Sequence, residues 1–384
     1  MIFRQNGKSS DSEGPQVVTL IQDLLAQAIK ARASDVHFEP TADAMLVKFR
    51  LDGQLQTIET FPAAWSQNIV TRLKVLGGLL TYRNDIPQEG HINWSDSKDL
   101  RDMRISVFPT IHGQRAVVRL FFRRPELLHL DQLGFSPATL TRLEHLAGQS
   151  QGIILLTGPA GSGKSTTLAA MLRYILDQFP GKSIVALEDP VEQQIDGVTQ
   201  VQIPPHGEMT FPVALRSLLR QDPQVLMLGE IRDAQTARIA IEAGLTGHLL
   251  LSTLHGGSCA TALLRLLEMG IEPYQVTSSV IAVLNQRLLR RLCPACKKSD
   301  SAGGYHPVGC SVCFDSGYQG RRLIAELVEL DGDLRRALLD RCELDELQAI
   351  FRQRGHMTLK QDGLRLMTEG ITSQEELNRI CPEE

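Results

Sequence analysis

The run Gly158-Pro159-Ala160-Gly161-Ser162-Gly163-Lys164-Ser165-Thr166 sets a lysine and two hydroxyls directly behind a glycine-rich turn. It follows the apolar residues 153–156 and precedes a helix-compatible run, 165–176. Glycines let successive N–H groups converge on phosphate oxygens, and the following helix adds its positive N-terminal end. In that context Lys164 would reach the β- and γ-phosphates of a nucleoside triphosphate, and the Ser165 hydroxyl would ligate Mg²⁺. The competing reading is a plain glycine-rich turn between a strand and a helix.

A second set of reactive side chains lies near the C-terminal end. Four of the seven cysteines form two Cys-x-x-Cys pairs, Cys293 with Cys296 and Cys310 with Cys313, separated by thirteen residues. Two short pairs bring four thiolates to a tetrahedron, which is the demand of a closed structural Zn²⁺ site. The alternative is a thioredoxin-like redox pair, but neither pair opens a helix after a strand. Cys259, Cys342 and Cys381 have no comparable partners and read as packing or surface thiols.

The elements that would position the phosphate loop are strands alternating with helices, a pattern that calls for a parallel sheet covered on both faces. Four nearly continuous apolar runs, 153–156, 183–187, 225–228 and 248–251, fit strands buried on both sides. Each ends in polar groups: the phosphate loop, Glu188-Asp189, Gly229-Glu230, and Ser252-Thr253-Leu254-His255. Ligands of an open parallel sheet bind beyond the carboxyl ends of its strands, so these groups should gather around one nucleotide. Hydrolysis then needs a metal, a group that deprotonates water and positive charge for the transition state. Glu230 is expected at the Mg²⁺ and Glu188 as general base, although the sequence leaves the two roles exchangeable. His255 would sense the γ-phosphate, or else merely cap a turn.

Ahead of this region, apolar positions at helical spacing predict an amphipathic helix over 16–33. Strand spacing follows, with one hairpin turning at Asp52-Gly53 and a second near His112-Gly113, and a helical stretch between them at 65–80. The expected division is a mobile tail 1–15, an α+β domain 16–122, a linker 123–133, an ATPase domain 134–292, a tetracysteine subdomain 293–322 and a helical region 323–384. Arg101, Arg104, Arg115 and Arg119 lie on or beside the second hairpin; they read as a solvated face or, in a ring, as cations reaching the γ-phosphate.

The 384 residues carry a net charge of −4, which argues against a surface built for nucleic acid. No apolar run reaches the roughly 18 residues that cross a bilayer, and the opening residues have no signal-peptide core. A cytoplasmic chain that meets a membrane through partners is the expectation.

These residues resemble the secretion ATPases of type II secretion systems and type IV pilus assembly. The resemblance runs from about Val17 to Ile380. Ala33-Ser-Asp-Val-His-Phe-Glu-Pro40 with Phe49-Arg-Leu-Asp-Gly53 is similar to the family's PAS-like N-terminal domain. Leu187-Glu-Asp-Pro-Val-Glu192 is similar to its acidic box, the segment 221–233 to its Walker B region, and the segment 246–255 to its histidine box. Cys313 followed by Gly317-Tyr-Gln-Gly-Arg321 and Glu326 looks like its metal-binding subdomain. The resemblance implies a RecA-like core, a homo-hexamer, ATP with Mg²⁺ and Zn²⁺, and work on a polytopic inner-membrane platform protein. It also implies that Glu230 serves the magnesium, that Glu188 is the base, and that arginines such as Arg104 and Arg119 meet the nucleotide. The tetracysteine favours an assembly motor over a retraction motor; a nucleic-acid translocase is the reading from another class. The family's extra N-terminal docking domain is not expected, because only a short tail precedes Val17.

Overall fold

The structure, a computed structural model of the chain, describes residues 13–94, 100–122, 129–204, 206–299 and 304–382. Of the expected tail, residues 1–12 lie outside the described residues, and so do 123–128 of the expected linker. The chain divides into two compact units, Met1–Pro125 and Glu126–Glu384.

In the first unit, helix α1 (Glu13–Lys30) begins inside the expected tail and buries Val17, Ile21, Leu24, Leu25 and Ala28, the positions that share one face at a period of 3.6. Strands β1 (Asp35–Pro40), β2 (Ala44–Leu51) and β3 (Gln54–Pro62) follow. Strand β2 alternates as a half-buried strand must, with Met45, Val47, Phe49 and Leu51 turned inward. Asp52 at φ +49° and Gly53 at φ +90° make the two-residue turn that their types predict. Helix α2 (Ser66–Leu76) leads to β4 (Gln88–His91), β5 (Leu100–Thr110) and β6 (Gly113–Phe122). The strands form one antiparallel sheet in the order β3-β2-β1-β6-β5-β4.

The second unit opens with α3 (Pro137–Ala147), whose Ser136 side chain caps the helix by accepting from the Thr139 N–H. It continues with β7 (Gly152–Thr157), α4 (Lys164–Gln178), β8 (Ile184–Glu188), β9 (Thr199–Gln202), α5 (Phe211–Leu218), β10 (Val225–Leu228), α6 (Ala234–Leu245), β11 (Leu249–Leu254), α7 (Cys259–Glu268) and α8 (Pro273–Ser279). Then come β12 (Val280–Leu292), β13 (Lys298–Ser299), β14 (Tyr305–His306), β15 (Tyr318–Glu329), and helices α9 (Gly332–Leu339), α10 (Leu344–Gln353), α11 (Leu359–Thr368) and α12 (Gln374–Ile380).

Seven strands make the main sheet, ordered β15-β12-β7-β11-β10-β8-β9. Strands β7, β8, β10 and β11 are buried along their whole length, which is why they read as unbroken apolar runs. Successive residues enter opposite layers: Ile153 and Leu155 join one core, Ile154 and Leu156 the other. Each such side chain contributes about 1.5–3 kcal/mol by leaving water. Strand β12 pairs with β7 in parallel and with β15 in antiparallel register. Strand β15 crosses the expected boundary at 322/323, so the region expected to be helical from 323 opens instead as the sheet's edge strand.

Candidate functional site

The carboxyl ends of β7, β8, β10 and β11 lie side by side, in parallel register from Gly152 to Thr157, Ile184 to Leu187, Val225 to Leu228 and Leu249 to Leu254. The phosphate loop leaves β7 with Gly158 at φ +142°, a conformation L side chains avoid, and a Cβ there would lie 2.6 Å from the Gln286 carbonyl oxygen. Gly163, left-handed at φ +94°, turns the chain into α4, so that Lys164 and Ser165 open the helix. Lys164 Nζ folds back and donates to the carbonyls of Gly158 (2.8 Å) and Pro159 (3.0 Å). Burial holds its ammonium below the ordinary lysine range; Glu230 opposes that shift and Arg287 adds to it. The loop rests on β12, where Gln286 Nε2 donates to the Ser162 carbonyl at 2.9 Å.

Glu230 stands just beyond β10. Its carboxylate accepts from Arg232 and faces His255 Nε2 at 3.3 Å, while Arg232 also approaches Asp189 at 3.6 Å. The Arg232 hydrogen bond, working against partial burial, keeps the Glu230 carboxyl below the usual range. Thr253 Oγ1 donates to the Gly229 carbonyl at 2.8 Å, tying the end of β11 to the end of β10. Glu188 closes β8, is 8% exposed, and accepts from Gln200 Nε2 of β9 at 2.9 Å. The structure thus brings Lys164, Glu188, Glu230 and His255 to one sheet edge. A glycine-rich loop that opens a helix, a carboxylate near enough to Lys164 to act on its charge and a second, buried carboxylate are the parts phosphoryl transfer to water requires.

The four thiols form a second centre. Cys293, Cys296, Cys310 and Cys313 place their sulfurs within 4.8 Å of one another, with contacts of 4.0, 3.8 and 3.7 Å. Zn–S bonds of about 2.3 Å in a tetrahedron put sulfurs about 3.8 Å apart, so the donor set fits zinc. The backbone N–H of Cys313 draws the Cys310 thiol down to about 7, while burial pushes Cys296 up to about 12. Glu326, grouped with these cysteines in sequence, lies elsewhere. It pairs in register with Asn285, whose Nδ2 donates to it at 3.2 Å, whereas the thiolate end of the same ribbon pairs Leu292 with Tyr318. Burial pushes the Glu326 carboxyl up.

Comparison with known proteins settles the lineage. The sequence model of the Type II/IV secretion system protein family matches residues 10–379. The chain belongs to that family. It is 40% identical over 368 residues to type II secretion system protein HxcR of Pseudomonas aeruginosa, covering 96% of this chain and 78% of the relative. It is 38% identical over 375 residues to the type IV pilus assembly ATPase PilB of Thermus thermophilus, covering 93% of this chain and 42% of the relative. Among solved structures, the DotB ATPase of Yersinia pseudotuberculosis matches with a TM-score of 0.69 at 22% identity, over 98% of this chain and 95% of that one. The pilus retraction motor PilT with bound ADP matches with 0.62 at 24%, over 94% and 96%. These likenesses identify the fold as a RecA-like ATPase core with an N-terminal α+β domain.

Within this secretion-family ATPase, Arg104 and Arg119 lie in the first unit and are engaged there. Arg104 Nε donates to Asp102 at 2.9 Å and its guanidinium covers the Phe121 ring; Arg119 Nε donates to Asp35 at 2.9 Å. Sequence reasoning passed over Arg232, Gln200, Gln286 and Arg287. The signal for Arg232 was present in the Gly229-Glu-Ile-Arg-Asp233 run; that for Gln286 and Arg287 was a polar triplet, 285–287, interrupting an apolar stretch. No described helix is long and apolar enough to cross a membrane.

Proposed function

We propose that this ATPase is a hexameric motor whose hydrolysis of ATP powers assembly of a type IV pilus or a type II secretion pseudopilus. What supports the reading most is one observation: Lys164, Glu188, Glu230 and His255 meet at the carboxyl edge of a single parallel sheet. The backbone of 158–166, made of Gly158, Pro159, Ala160, Gly161, Ser162, Gly163, Lys164, Ser165 and Thr166, would cradle the phosphates. Lys164 would exchange its two loop carbonyls for phosphate oxygens. Ser165 and Glu230 would hold Mg²⁺, which when bound neutralises charge on the phosphates. Glu188, shielded and fixed by Gln200, would take the proton from the attacking water, and His255 would register the γ-phosphate through its bond network with Glu230. Arg104 or Arg119 would supply the remaining positive charge, from the same chain or a neighbour in the ring. The four cysteines would hold one structural zinc ion per chain. A polytopic inner-membrane platform protein is the proposed partner, reached from the cytoplasm, and no nucleic acid is needed.

The test is Glu188→Gln. ATP affinity should stay close to wild type while steady-state phosphate release falls about 10²-fold or more, the cost of losing a general base. Hydrolysis at the wild-type rate would remove Glu188 from the mechanism.

A further inference from the structure

Arg287 is a half-buried arginine next to the phosphate loop, and the catalytic scheme above leaves it unused. Its position follows from register. Asn285 pairs with Thr157, the last residue of β7, so 286 and 287 run on past the strand to lie against the loop that follows. A Cβ on Gly158 would lie 3.1 Å from Arg287 Nη1. Nη1 donates to Asn285 Oδ1 at 2.7 Å and to the Gln286 carbonyl at 3.0 Å, and Nη2 donates to the Gly257 carbonyl at 2.6 Å. Gly257 belongs to the short loop, 255–258, that carries His255 into α7. The neighbouring Gly256 carbonyl accepts from Thr157 Oγ1 at 3.0 Å, and Asn285 Nδ2 also reaches the Gly257 carbonyl at 3.3 Å.

Three groups therefore converge on the two carbonyls behind His255: the end of β7, the Asn285 amide and the Arg287 guanidinium. Among the described residues none of the Arg287 bonds ends on a carboxylate; all end on carbonyl oxygens. Leaving a half-buried guanidinium without a bonded anion costs stability, which a neutral side chain would avoid. What arginine offers here is its rigid planar fork, which spans several acceptors at once in a way a lysine ammonium does not.

We propose that Arg287 is a positioning residue for hydrolysis: a strut that holds the His255 loop in register with the phosphate loop, so that His255 faces the γ-phosphate in the geometry turnover requires. The proposal rests on the hydrolysis reading given above. Misplacing a catalytic group by about 1 Å costs on the order of 10²-fold in rate, which sets the size of the effect.

The experiment compares Arg287→Ala, Arg287→Lys, His255→Ala and the double variant Arg287→Ala/His255→Ala in the full chain. ADP affinity, melting temperature and the kcat and KM for ATP with Mg²⁺ are read for each. Both Arg287 variants should lose about 10²-fold in kcat, with ADP affinity and KM within about threefold of wild type. The double variant should turn over no more slowly than His255→Ala alone, because a strut to a missing side chain has nothing left to position. Wild-type kcat in Arg287→Lys would show that charge alone suffices and would overturn the strut. So would losses that multiply in the double variant, or a slow Arg287→Ala beside an unimpaired His255→Ala. An Arg287→Ala chain that melts early is answered by Arg287→Lys, which keeps the charge and most of the packing. A wild-type chain without phosphate release would overturn the hydrolysis reading and the strut together, whereas wild-type turnover matched by Arg287→Lys overturns the strut alone.

Discussion

Strand β12 carries charged groups at its middle and again near its end, and the two sets are paired in opposite ways. At residues 285–287, beside the phosphate loop, the cations bond dipoles: Lys164 takes the carbonyls of its own loop and Arg287 takes three carbonyl oxygens. Burial lowers the pKa of both. Three residues beyond Arg287, Arg290 donates from Nε and Nη2 to Glu376 Oε2 at 2.9 and 2.7 Å, and its backbone N–H donates to Oε1 at 3.0 Å. Glu376 is fully buried and also takes both arms of Arg379, at 2.7 and 2.6 Å. Tyr318 lies under the Arg290 guanidinium, 4.0 Å from ring centre to carbon, and donates to or accepts from Ser373 at 2.7 Å.

The contrast separates a site from a lock. Lys164, bonded only to carbonyls of its own loop in a place that disfavours its charge, is free to exchange them for an anionic ligand, whereas the Arg287 bonds tie one loop to the next. A carboxylate saturated by two guanidiniums inside the protein is complete already, and its work is to fasten α12 to the sheet just where the thiolate ribbon begins. On the proposed reading, ligand chemistry belongs to the middle of the strand and folding energy to its end.

The largest effect that would sharpen this division is metal removal. A closed tetrathiolate site contributes on the order of 10 kcal/mol to the order of its own segment. Elemental analysis should find about one zinc per chain. Chelation or Cys310→Ser should raise hydrogen exchange in 293–322 before it touches the strands around Lys164. Protein purified metal-free under reducing conditions, and equally protected there, would contradict the zinc assignment.

Next in size, Arg104→Ala or Arg119→Ala should cut phosphate release by about 10³-fold while sparing ATP binding, as expected for an arginine that meets transition-state charge. Full turnover in both variants would leave these arginines to their ion pairs with Asp102 and Asp35. Near the end of β12, Glu376→Ala leaves two guanidiniums without their carboxylate and should destabilise the C-terminal region by about 3–5 kcal/mol. Denaturant titration would read it, with nucleotide affinity staying near wild type.

A pH series gives the smallest signal. Burial pushes the Glu376 carboxyl up, but the bonds from Arg379 and Arg290 outweigh it, so its folded pKa lies below the ordinary carboxylate value. A depressed carboxylate contributes stability that is fully present above its unfolded pKa, about 4.3, and is lost as pH falls through the lower folded value. Wild type should therefore lose C-terminal stability on acidification below about pH 4, whereas Glu376→Gln should be less stable throughout and flatter over that window.

How much of this could be read beforehand varied with the kind of strand. β7, β8, β10 and β11 are buried on both faces, so their sequences are almost purely apolar and their polar ends stand out; from these alone Lys164, Glu188, Glu230 and His255 could be gathered at one edge. β9, Thr199–Gln202, and β4, Gln88–His91, carry too few apolar residues to show any periodicity. β12 hid because Asn285, Gln286 and Arg287 break its apolar run, and β15 because its start lay inside the cysteine segment. Arg287 needed the register of β12 against β7, and Glu326 the register of β15 against β12. No pattern along the chain encodes either, since both arise from pairing between segments distant in sequence.

On the proposed function, the phosphate loop binds and hydrolyses ATP through Lys164. Fluorescent-nucleotide titration and steady-state phosphate release, measured side by side on wild type and Lys164→Ala with Mg²⁺ present, test it directly. Wild type should turn over, and Lys164→Ala should lose both tight binding and hydrolysis. Lys164→Ala protein that hydrolyses ATP at the wild-type rate would contradict it.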